Sequence, residues 1–270
     1  ELNKHLYDLH HFHNKSCSKY EKLTKTFFES GINLKSNECL DSLPFIPVNA
    51  FKKHKLISCS DSEIFKILHS SGTSSQTPSS IYLTRDNARH QSIALSKIFS
   101  LFTNLNRPNL IIVDSPNLIS NRTNFNARIA GIIGFRGLCR KAVYALDEEY
   151  KLDLESIQNF LESIGDQDIL MFGFTWILFK YLLGNKFPDI IKKRLSNATI
   201  IHGGGWKKLV DLSVSREVFN SMVFDCLGSN KVFSYYGMIE QTGSIFMECE
   251  KGFLHTNPLA TVIPRSQEDL

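Results

Sequence analysis

From about Ile64 to Tyr235, short apolar runs alternate with longer segments whose apolar residues recur at helical spacing. That pattern predicts strands at 65–68, 81–83, 110–113, 142–145, 169–172, 199–201 and 232–235. It predicts helices between them at 87–102, 127–135, 154–164, 176–182 and 217–226. Strands and helices in regular exchange imply α/β architecture, with mixed sheets covered by helices. The preceding chain reads differently. Residues 2–12 and 20–28 carry helix-spaced apolar positions, Gly31 is a stop, and Pro44 and Pro47 break any helix. Residues 43–51 are therefore expected to run extended over the core. No repeat, low-complexity tract or linker interrupts the chain. It divides on this reading into a helical and irregular extension at 1–60 and an α/β core at 61–270.

At 270 residues and 42% hydrophobic content, the chain can bury a substantial core. Its 31 Lys and Arg against 27 Asp and Glu leave a formal charge of only +4, which gives no reason to expect a nucleic-acid partner. The basic runs at 52–55 and 191–194 are short, flank apolar residues and read as solvated faces. No apolar stretch has the length of a membrane span, and the N-terminus lacks the layout of a secretion signal, so a cytoplasmic protein is expected. Six cysteines, at 17, 39, 59, 139, 226 and 249, form no CxxC pair and fit buried thiols in a reducing compartment. His10, His13 and Cys17 fall at helical i, i+3, i+7 spacing, but histidines on an exposed helix need no zinc and none is assigned.

Three places combine a predicted strand with glycine and polar residues just after it. In Ser70-Ser71-Gly72-Thr73-Ser74, Gly72 permits a sharp turn, and successive N–H groups and hydroxyls suit phosphate. A polar serine-rich turn fits the same residues, and no Walker-type Gly-Lys-Ser/Thr follows. After the strand ending near Ile201, Gly203, Gly204 and Gly205 would let a flat base lie against bare backbone, with Lys207 or Lys208 within reach of phosphate. A flexible turn anchored by Trp206 is the alternative. In Tyr235-Tyr236-Gly237-Met238-Ile239-Glu240, a tyrosine face suits adenine and Glu240 suits a hard Mg²⁺ ion; an ordinary turn with a surface glutamate suits the pattern too. Phe174, Thr175 and Trp206 are candidates for an acyl pocket or for core aromatic packing.

Taken in order, these segments resemble the adenylate-forming superfamily of acyl-CoA ligases and amino-acid adenylation domains. Ser70–Ser74 is similar to its Ser/Thr-Ser-Gly-Ser/Thr-Thr-Gly phosphate loop, and Tyr236-Gly237-Met238-Ile239-Glu240 to its Tyr-Gly-x-Thr-Glu motif. Ser75 stands where Gly is usual, no Lys follows Pro78, and Ile239 replaces a Thr. Those departures, together with Ile46-Pro47-Val48-Asn49-Ala50-Phe51-Lys52, His202-Gly203-Gly204-Gly205-Trp206-Lys207-Lys208 and Gly237–Phe246, resemble the acyl-protein synthetase (LuxE-like) branch from about residue 40 onward.

The resemblance implies the large N-terminal domain of an adenylate-forming enzyme. Such an enzyme uses ATP and Mg²⁺ to convert a carboxylic acid, here expected to be a fatty acid, into an acyl-adenylate. The acyl group then passes to a protein cysteine or to CoA, with an acyl-reductase as a possible partner in the first case. Ser70, Ser71, Gly72, Thr73 and Ser74 would bind phosphates, Gly203–Gly205 and Tyr235–Gly237 the nucleotide, and Glu240 would be the catalytic Mg²⁺ ligand. An acyl-CoA ligase of the phenylacetate-ligase type and a non-catalytic nucleotide binder remain as alternatives. The superfamily's small C-terminal lid and its lysine are not matched before Leu270, so the chain is expected to be truncated and inactive by itself.

Overall fold

In the computed structural model, residues 2–28, 43–70, 77–120 and 127–264 are described. The chain falls into two compact units, Glu1–Gln91 with Ala260–Leu270, and Ser92–Leu259.

In the first unit, helix α1 (Leu2–Ser16) packs on α2 (Ser18–Phe28). Polar side chains link them: His10 Nδ1 is 3.0 Å from the Tyr20 hydroxyl, and Thr24 Oγ1 donates to Asn14 Oδ1 at 2.9 Å. Of the segment expected to be extended at 43–51, residues 44–47 form no helix, whereas the chain turns at 48–49 and enters the short helix α3 (Ala50–Lys53), with Ala50 N donating to Pro47 O at 2.8 Å. A hairpin of β1 (Lys66–His69) and β2 (Ser80–Leu83) follows, paired antiparallel with Lys66 opposite Leu83. Helix α4 (Arg85–Thr103) leads into the second unit.

The second unit holds the main sheet. Its elements are β3 (Asn109–Val113), α5 (Asn117–Ser120), α6 (Ala127–Gly137), β4 (Ala142–Tyr144), α7 (Leu154–Ile164) and β5 (Ile169–Phe174). They continue with α8 (Thr175–Ile177), α9 (Asp189–Leu195), β6 (Thr199–Gly203), α10 (Arg216–Leu227), β7 (Val232–Tyr236), β8 (Phe246–Glu248) and β9 (Leu254–His255). A π-helical turn at Leu178–Leu182 prolongs α8. The strand order is β4-β3-β5-β6-β7-β8-β9, parallel from β4 to β7 and antiparallel at β8 and β9. Every strand expected from the apolar runs is present.

β3, β5 and β6 are buried along their whole length, which is why they read as unbroken apolar runs. Helix α7 buries Ile157, Phe160, Leu161 and Ile164, one stripe at helical spacing. Its Asp153 cap accepts from Ser156 N at 2.9 Å. On one face of the sheet, Phe135 of α6 stacks on Phe172 of β5 at 4.1 Å and meets Tyr235 of β7 edge-on. On the other, His202 of β6 lies 4.5 Å from Phe219 of α10, so alternation along β6 separates the two helices. Among the described residues no helix is long and apolar enough to cross a membrane.

Candidate active site

β3 is followed in sequence by β4 on one side and later by β5 on the other, so the strand order reverses between β3 and β5. In open α/β sheets, ligands bind outside the carboxyl ends of the strands at such a reversal. Register places Phe174, Gly203 and Tyr235 level at the ends of β5, β6 and β7. Three of the sequence-predicted groups thus meet at one edge of one unit.

Local packing explains the glycine run. A Cβ on Gly203 would lie 2.7 Å from the Tyr235 ring, and one on Gly204, at φ +79°, would lie 2.4 Å from the Phe174 ring. Those two glycines are required by the protein's own aromatics. Gly205, at φ +66°, has nothing within 4 Å of its Cβ position, and its exposed backbone is free to meet a ligand. Thr175 is buried and closes the same corner: its hydroxyl donates to Gly203 O at 3.1 Å and lies 2.9 Å from His202 Nδ1. Burial, with the Arg216 charge adding to it, pulls the His202 imidazole down to about 4, so the ring is neutral at physiological pH. Trp206 packs edge-on against Phe179 at 4.8 Å. Phe174 and Thr175 are thus engaged in the core, whereas Trp206 is half-buried.

On β7 the two tyrosines face opposite ways. The Tyr235 ring is packed among Gly131, Phe135 and Gly203, and burial pushes its hydroxyl up to about 12. Tyr236 is 48% exposed, which leaves a ring face available to a base. The turn beyond it is fixed by Gln241 N donating to Met238 O at 3.1 Å and by the Thr242 hydroxyl donating to Ile239 O at 3.2 Å. Glu240 is half-buried there and has no ion pair or hydrogen bond among the described residues. An unpaired carboxylate, an open glycine and an exposed aromatic ring fit a hard cation, a phosphate and a purine.

Other sequence candidates lie in the first unit. Ser70 closes the base of the β1–β2 hairpin, with its N–H donating to Ser79 O at 3.0 Å and its hydroxyl accepting from Ser79 N at 2.8 Å. Ser71, Gly72, Thr73 and Ser74 lie outside the described residues.

Sequence reading missed the charged corner beside β3 and β5. Asp114, 1% exposed, immediately follows β3 and pairs with Arg128 of α6, whose Nε donates to Asp114 Oδ2 at 2.7 Å. Arg128 also donates to the Tyr150 hydroxyl at 2.9 Å and lies over the Trp176 ring at 5.3 Å. Lys207 extends its ammonium over the Phe174 ring at 6.0 Å. Only an acid followed by a basic residue 14 positions later marks the Asp114–Arg128 pair in the sequence, and that spacing carries no signal.

Cysteine assignments divide similarly. Cys226 is buried, its sulfur 3.6 Å from Leu182 O and 3.5 Å from Asn185 O. Cys249, read from sequence as a buried structural thiol, is only half-buried, because it sits at the mouth of the β8–β9 turn.

No curated protein matches this chain in sequence. Among solved structures, it is similar to 2-hydroxyisobutyryl-CoA ligase in an open conformation with 2-HIB-AMP and CoA: TM-score 0.60, 12% identity, 90% of this chain and 51% of that chain. The same ligase in its thioesterification state gives a TM-score of 0.60 at 11% identity, over 93% of this chain and 51% of that one. The chain therefore spans about half the length of the structures it matches. At that identity the likeness is one of fold, the mixed α/β domain of adenylate-forming enzymes. The acyl-protein synthetase family, LuxE, matches residues 2–270, so the chain belongs to that family.

Proposed function

We propose that this chain supplies the nucleotide-binding face of an ATP-dependent ligase that activates a carboxylic acid, a fatty acid in the leading reading, and hands the acyl group to a protein thiol. Family membership over residues 2–270 supports it. The observation that carries it is Glu240, which has no ion pair or hydrogen bond among the described residues and follows the exposed Tyr236 by four positions, beyond the strand next to the one that leads into the open backbone of Gly205.

In this reading a carboxylate oxygen attacks the α-phosphorus of ATP, the bond to the β-phosphate oxygen breaks, and pyrophosphate leaves. A thiolate then attacks the acyl carbon, and AMP leaves with the oxygen that joined them. Tyr236 stacks the adenine and Gly205 offers backbone N–H to phosphate, while Ser70–Ser74, in the other unit, keep the phosphate-binding role that the resemblance implies. Glu240 would hold Mg²⁺, which supplies charge against the oxygens that become more negative. These are positioning and electrostatic tasks, for which prebuilt donors at a sheet edge are suited.

A second reading, transfer to CoA, has one observation in its favour: the matched fold is that of a CoA ligase whose structure holds both 2-HIB-AMP and CoA. Incubating the full-length protein with ATP and radiolabelled tetradecanoate, without CoA, separates them. Label that stays on denatured protein and is released by hydroxylamine supports a protein thiol. An absolute requirement for CoA supports the second reading.

A further inference from the structure

The corner between β5 and β6 carries a cation, Lys207, that no group among the described residues pairs with. Asp114 is already committed to Arg128. Lys207 has no ion pair or hydrogen bond among the described residues, and its ammonium lies over the Phe174 ring at 6.0 Å. An ammonium over a phenyl face is held weakly, by roughly 0.5–1 kcal/mol when exposed, so it is free to turn to an anion. Burial, and after it the Arg128 charge, holds the Lys207 ammonium below its usual range, a local excess of positive charge that an anion would relieve.

Strand order identifies the anion. Tyr236 and Glu240 follow β7, on one side of the glycine run at the end of β6, while Phe174 ends β5 on the other. Lys207 lies over the Phe174 ring, which ends β5. A molecule anchored there would have a negative end and an apolar body.

We propose that Lys207 binds the carboxylate of the acid substrate and that the Asp114–Arg128 pair, stacked on Trp176, forms the fixed wall beside it. The proposal rests on the adenylation reading and names the acid side of that site. The ammonium orients one carboxylate oxygen towards the α-phosphate without taking part in bond breaking. A charge-assisted contact of this kind is worth about tenfold in affinity or more.

The test titrates the full-length protein with butanoate, octanoate and tetradecanoate, each against the alcohol of the same length, and separately with ATP. Wild type, Lys207→Met and Lys207→Arg are compared, and acid-dependent pyrophosphate exchange is followed in parallel. At least one acid is expected to bind wild type about tenfold or more tightly than its alcohol. Lys207→Met is expected to lose that preference and raise KM for the acid while KM for ATP holds, and Lys207→Arg to restore most of it. An acid preference unchanged in Lys207→Met, or a loss confined to ATP, overturns the assignment, as does equal binding of acid and alcohol to wild type. Retained, Lys207-dependent acid binding without exchange supports the carboxylate site and counts against adenylation instead.

Discussion

Gly204 stands so close to Phe174 that a side chain between them has no room: a Cβ at 204 would lie 2.4 Å from the ring, on backbone with φ +79°. Gly204→Ala is therefore expected to cost about 1–3 kcal/mol through overpacking, in addition to the left-handed backbone strain. Gly205→Ala meets open space at φ +66° and should cost only the strain, about 1 kcal/mol. Urea unfolding distinguishes the two; equal losses would mean that Phe174 does not fill the corner.

His202 should make stability depend on pH. Its folded pKa of about 4 lies below the ordinary value of 6.5, so between those values the unfolded chain binds the additional proton. The contribution is complete above 6.5 and is lost as pH falls towards about 4, reaching about 3 kcal/mol at roughly 1.4 kcal/mol per unit. His10 and His13, also lowered by burial, act in the same direction. Comparing the pH slopes of wild type and His202→Gln isolates the contribution of this imidazole, and identical slopes would refute it.

Cysteine reactivity should follow the same local chemistry. The Phe253 backbone N–H, and then the His255 side chain, bring the Cys249 thiol down to about 7, whereas burial pushes Cys139 up to about 12 and also raises Cys226. Iodoacetamide at neutral pH should therefore modify Cys249 well before Cys139 or Cys226, with a rate that rises through pH 7. Peptide mapping after brief labelling gives the order; Cys139 or Cys226 reacting as fast as Cys249 would contradict it.

Asp114→Asn should be among the most destabilising single changes, because it strands the Arg128 guanidinium, only 14% exposed, without its carboxylate. A loss of about 3–5 kcal/mol is expected. Lys151→Ala, which removes a pair with Glu149 exposed at 73% and 71%, should cost under about 1 kcal/mol. Similar denaturation midpoints for the two variants would show that the inner pair carries no structural weight.

What the sequence displayed of this fold depended on burial. Fully covered strands such as Ile169–Phe174 and Thr199–Gly203 announce themselves because nearly every side chain is apolar. β8 escaped notice because Glu248 lies within it, a buried carboxylate made tolerable by Arg216 Nε at 2.7 Å and Ser234 N at 2.8 Å, partners distant in sequence. β9 has two exposed residues and no pattern at all. α9 was hidden by its basic surface, although Ile191 and Leu195 are buried on its inner side. Motif residues were visible as types and spacings, but the division of labour among the glycines was not. It depends on where the Tyr235 and Phe174 rings come to rest, and that is decided by register between strands far apart in the chain.

Acid adenylation beside Glu240, as proposed, is measured by acid-dependent ATP–pyrophosphate exchange in the full-length protein. Wild type and Glu240→Gln would be compared at limiting Mg²⁺, with melting temperature as the control for folding. Because Glu240 has no internal partner among the described residues, the substitution should leave melting nearly unchanged while exchange falls by roughly a hundredfold, the order seen when a charge-stabilising group is removed. Exchange at the wild-type rate in Glu240→Gln, with the fold intact, would rule out Glu240 as the Mg²⁺ ligand for adenylation.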